Sequence, residues 1–90
     1  MARHISALKR ARQNEKRRLR NQSRKTRVKN VVRQVRQAVA QKNTEEAQAA
    51  LQSAIPTIAR VASKGTLHWR AAARKISRLT RQVNALSTPA

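Results

Sequence analysis

Cysteine, aspartate, phenylalanine and tyrosine are all missing from this 90-residue chain, which has one glycine, two prolines and one tryptophan. Without cysteine there are no disulfides and no thiolate-ligated zinc, and the redox compartment stays open. Three glutamates and two histidines make a poor set of metal ligands. A single glycine cannot build a glycine-rich phosphate loop. Ser63, Thr66 and Ser77 have no arranged base beside them in sequence, so nucleophilic catalysis has no support. No apolar run approaches the ~20 residues of a membrane span. The N-terminus is basic but lacks the apolar stretch of a secretory signal, so the cytoplasm is the expected location. No cofactor, metal or small-molecule substrate is expected.

What is present is positive charge. Lys and Arg number 22, and the formal net charge is +19. The first 36 residues hold fourteen of these cations and one acid, Glu15, with almost nothing apolar between Ala11 and Val28. Such a stretch has no material for a core. Its charge must be neutralised from outside, and nucleic acid is the usual polyanion at this density. The apolar residues that remain are mostly Ala, Val, Leu and Ile, so marginal stability alone and rigidity when bound are expected.

Helix breakers are scarce and helix formers abundant, and no stretch alternates as a strand does. The fold class is all-α: a three-helix bundle with a long, protruding, basic first helix and a Pro-kinked second helix. The first helix is predicted from an N-cap at Ser6 to about Gln41. Val28, Val31, Val32, Val35 and Val39 give its second half an apolar stripe. Leu8, Ala11 and Leu19 continue that stripe thinly, within cations that point in nearly every direction. The break falls at Lys42–Thr44, where Asn43 and Glu46 resemble a capping box, and Glu45 and Glu46 suit the positive end of the next helix. That helix buries Ala47, Ala50, Leu51, Ala54, Ile58 and Val61. Pro56 predicts a kink in it, with splitting into two short helices as the competing outcome. Gly65 closes it. The third helix is predicted from about Thr66 to Leu86, with Ala72, Ile76, Leu79, Val83 and Leu86 within roughly 80° of arc and Arg70, Arg74, Arg78 and Arg81 opposite. The chain then reads as one domain: a basic arm over 1–27, a bundle over 28–86 and a frayed tail over 87–90.

The candidate RNA-binding residues follow from this pattern. In the first helix they are Lys9, Arg10, Arg12, Gln13, Asn14, Lys16, Arg17, Arg18, Arg20, Asn21, Ser23, Arg24, Lys25, Arg27 and Lys29. Beyond it they are Lys64, His68, Arg70, Arg74, Lys75, Arg78 and Arg81. Arg outnumbers Lys fifteen to seven, and its planar fork suits bidentate phosphate contact. The interposed amides can bond base edges or riboses. A plain solvated tail would use Gly, Pro and Ser instead. His68 fits a structural hydrogen bond or a phosphate contact better than catalysis. Trp69 suits packing at the bundle end and base stacking equally. A histone-like, DNA-compacting protein is the competing function. A membrane-surface helix is weaker, because the most basic segment has no opposed apolar face.

Two blocks carry a resemblance. The first is Ser6-Ala7, Lys9-Arg10, Gln13-Asn14, Lys16-Arg17-Arg18, Asn21, Ser23, Lys25-Thr26 and Lys29. The second is Lys64-Gly65, His68, Ala72-Ala73-Arg74 and Arg78-Leu79. At this separation, around an Ala-rich helix with Pro56, the chain resembles the family of the twentieth protein of the bacterial small ribosomal subunit over nearly its full length. It departs from the family's common residues at Ile5, Trp69, Arg70 and Ile76. The resemblance implies a three-helix bundle that binds 16S rRNA early in subunit assembly. It also implies that the protein bridges the 5′ domain and the long stem near the 3′ end, beside other small-subunit proteins and without catalysis.

Overall fold

The computed structural model describes the backbone of residues 2–87 and the side chains of 5–86. It contains α1 (Ala2–Ala40), α2 (Thr44–Ser63) and α3 (Trp69–Ser87), with no strand among the described residues. α1 is already helical at Ala2, so Ser6 lies within it and is not its cap. A serine inside a run of good helix formers costs only about half a kcal/mol, too little to end the helix.

The connection from α1 to α2 is three residues long. Lys42 adopts the left-handed conformation at φ 56°. The Lys42 amide donates to the Val39 carbonyl (3.0 Å) and the Asn43 amide to the Ala38 carbonyl (3.1 Å). This pair of bonds is a Schellman closure, with lysine where glycine is usual. Asn43 then starts α2: its Oδ1 accepts from the Glu46 amide at 3.2 Å. One residue thus finishes one helix and caps the next, which forces α1 and α2 to run antiparallel.

α2 is one continuous helix with Pro56 inside it, so the split does not occur. Pro56 and Gln52 are both exposed, so the carbonyl that loses its donor lies on the solvent side, where water can replace it. One residue on, the Thr57 hydroxyl donates to the Ser53 carbonyl at 3.0 Å, adding a donor beside the break. Gly65, at φ 80°, reverses the chain after α2. α3 begins at Trp69, three residues later than the apolar pattern predicts. Thr66 is drawn out of the helix by side-chain bonds to α1, and His68 takes the capping place. Ser87, placed in the frayed tail by sequence, is helical; the rest of that tail lies outside the described residues.

The core is small and aliphatic. Val28, Val35 and Ala38 of α1 meet Ala47, Leu51, Ala54, Ile58 and Val61 of α2, and Ala72, Leu79 and Val83 of α3. Ile58, Val35 and Val83 are its largest fully enclosed side chains. Ala38 is the one buried α1 residue absent from the predicted stripe. α2 packs against both other helices, whereas α1 and α3 touch little. From Ile5 to Arg27 no side chain is buried. The molecule therefore measures 70 × 22 × 14 Å, with a radius of gyration of 18.1 Å. A compact chain of this length would have a radius of about 12 Å.

Candidate nucleic-acid interface

Because α1 and α3 both lean on α2 and barely on each other, a groove opens between them. Its walls are Lys29, Arg33 and Arg36 from α1, facing Arg74, Lys75 and Arg78 from α3. Val28, Val32 and Leu79 form its floor. The larger end is an open trough of about 520 Å³. Lys29, Arg33 and Arg36 fall at i, i+4 and i+7, so two successive turns of α1 stack them on the same side. Arg74 and Arg78 are likewise one turn apart. Six cations and no acid line one channel. Their mutual repulsion is tolerable in water, and the site is suited to an anionic ligand.

A second cationic cleft lies where α1 passes the end of α2. Arg20, Ser23, Arg24, Arg27 and Lys64 line it, and Arg60 extends it along α2. This cleft is built by hydrogen bonds. The Arg24 guanidinium donates to the Thr66 hydroxyl and to Asn21 Oδ1, each at 3.3 Å, and the Thr66 hydroxyl donates to Asn21 Oδ1 at 3.1 Å. The three side chains tie the basic helix to the α2–α3 connection. Arg24 is accordingly the only half-buried cation, with every other described Lys and Arg side chain exposed.

The remaining predicted residues sort by place. Lys9, Arg10, Arg12, Gln13, Asn14, Lys16, Arg17, Arg18 and Lys25 stand on the free surface of α1. Arg18 alone, among the described residues, is paired with a carboxylate, at 2.7 Å from Glu15. That hydrogen bond, and then the charge of Arg18, lower the Glu15 pKa below its ordinary value of 4.5. Arg81 is exposed but lies outside the groove. The His68 Nδ1 accepts from the Arg70 amide at 3.1 Å, so the ring caps α3. Trp69 is 65% exposed, which removes the bundle-packing reading. Sequence reasoning missed Arg33, Arg36 and Arg60 as site residues. The signal was available for two of them in the i, i+4, i+7 stripe that begins at Lys29. Sequence reasoning set Arg74 and Arg78 opposite the apolar face of the third helix; in the fold they and Lys75 also line the groove with α1.

Among the described residues no group of His or Glu could hold a metal ion, and no helix is long and apolar enough to cross a membrane. The profile of the family described as ribosomal protein S20 matches residues 2–84. The chain belongs to that family. Relatives agree over nearly the whole length. The small ribosomal subunit protein bS20 of Syntrophus aciditrophicus is 54% identical over 85 residues, covering 94% of this chain and 96% of that one. Its counterpart in Syntrophobacter fumaroxidans is 52% identical, covering 96% and 100%, and that of Trichlorobacter lovleyi is 51% identical, covering 96% and 99%. The family is a structural, non-enzymatic one of the small ribosomal subunit, in keeping with the fold class and the absence of catalytic motifs read from the sequence.

Proposed function

We propose that this chain is a structural component of the small ribosomal subunit in the cytoplasm and binds 16S rRNA directly by neutralising phosphates. The observation that carries the reading is the pairing of a six-cation groove between α1 and α3 with a basic helix that buries no side chain from Ile5 to Arg27. A helix basic on all sides has no use for a protein core, whereas it can sit between RNA segments and lower the repulsion between them. The groove offers a second place for phosphate, on the bundle itself. With the arm over 1–27 and the bundle over 28–86 engaged on different segments, such as the 5′ domain and the long 3′ stem, the protein holds together strands that repel when bare, which assists assembly. The arm's helix is stabilised by little besides local bonds, so it orders fully on RNA. Gln13, Asn14 and Asn21 suit riboses and irregular base edges, which favours folded RNA over a DNA-compacting role.

A competition assay tests this. At physiological salt and equal phosphate concentration, folded 16S rRNA is expected to retain the protein against duplex DNA; displacement by DNA refutes the reading. Circular dichroism tests the ordering step. Helicity should rise when RNA is added, and unchanged helicity refutes coupled ordering.

A further inference from the structure

We infer that Trp69 is a stacking platform for an unpaired nucleobase, held ready at the first turn of α3. The indole is 65% exposed, although it is the chain's only aromatic side chain of the Phe, Trp and Tyr kind. It is nonetheless held by its neighbours. The His68 ring, itself fixed by accepting the Arg70 amide, stacks beside it at 5.9 Å between centroids and 25° between planes. The Arg70 guanidinium lies 5.2 Å from the indole centroid, within the range of a cation–π contact. The platform is therefore ordered before any ligand arrives.

The surroundings select the occupant. Lys64, Arg70 and Arg74 flank the ring in sequence on the α2–α3 connection and the start of α3. The nearest acids in sequence, Glu45 and Glu46, sit in the first turn of α2, at the opposite end of that 20-residue helix. Glu15 is engaged by Arg18. A nucleotide brings a flat π face and a negative charge in one unit, which matches an indole with the Arg70 cation beside it and further cations near in sequence. An apolar protein pocket would have to desolvate the Arg70 guanidinium without compensation. The inference rests on the rRNA reading above and adds a base contact to its phosphate contacts.

The test uses the full chain, whose single tryptophan makes intrinsic fluorescence report on residue 69 alone. Titration with a 16S rRNA transcript is expected to quench the emission strongly. A fully paired RNA duplex of equal phosphate content should bind but leave the emission nearly unchanged. Trp69→Ala should weaken rRNA binding about tenfold, the scale of one base–aromatic stack, while Trp69→Phe keeps most of the affinity. Because no cation is removed, the salt slope of Trp69→Ala should equal that of the wild type, and its helicity should be unchanged. Binding of rRNA without quenching, or quenching by duplex as strong as by rRNA, overturns the platform and leaves the rRNA reading standing. An emission change that appears only after the other small-subunit proteins are added also overturns it, in favour of a protein contact. Failure to bind rRNA at all removes the function proposed above.

Discussion

Replacing Arg33 and Arg36 together by Gln tests the groove where sequence reasoning alone did not look. Both side chains are exposed on the groove wall of α1, and neither belongs to the core, so the bundle should keep its helicity. If each guanidinium meets one phosphate, two counterions fewer are released on binding. The slope of log affinity against log salt is then lower by about 1.4 to 1.8 units, using 0.7 to 0.9 per contact. Salt raised from about 50 to about 200 mM is a fourfold change, so the ratio of wild-type to variant affinity should shrink by about 7- to 12-fold across that range. Filter binding or fluorescence anisotropy with 16S rRNA at several salt concentrations measures this directly. Parallel lines for wild type and variant, with helicity preserved, would show that no phosphate enters the groove from the α1 side.

Lys42→Gly relieves a left-handed backbone at φ 56° and should stabilise the protein by about 0.5 to 1 kcal/mol; thermal melting should show a rise of a few degrees, and no rise refutes the strain. Gly65→Ala should move melting the opposite way by a similar amount, because an added Cβ meets nothing within 4 Å and only the φ of 80° is at issue; an unchanged midpoint would contradict that. Ile58→Ala empties a fully enclosed site in α2 and should cost about 2 to 5 kcal/mol, enough to unfold much of the free bundle; circular dichroism should show lost helicity, restored by rRNA. The Glu15–Arg18 bond lowers the Glu15 pKa, so its support of the arm is complete above the ordinary carboxylate value of 4.5 and is lost as pH falls through the lowered one. The wild type should therefore lose more arm helicity on acidification than Glu15→Gln, and equal losses refute the bond's role.

The helices were legible because each apolar stripe repeats at the helical period. Ala72, Leu79 and Val83 read from spacing are the residues buried in α3, and Asn43 read as a cap is one. Both signals act over three or four residues, the distance a linear pattern spans. The start of α3 was misplaced because bonds from Thr66 to Arg24 and Asn21, more than 40 residues away, draw the connection out of the helix. Periodicity carries no trace of such a bond.

The sequence by itself determined that this chain is helical and cationic beyond what its interior can support, because composition and local period decide those matters; its two residue blocks also carried the resemblance that the family profile bears out. Tertiary structure alone decided that α1 and α3 stand apart over α2, so that cations far apart in the chain line a single groove, Arg36 with Arg74 and Arg78 at one end and Lys29 with Lys75 at the other. It also decided that Trp69 lies in solvent. Both outcomes depend on how three thin apolar faces share a small core, and that division is settled only when the helices meet.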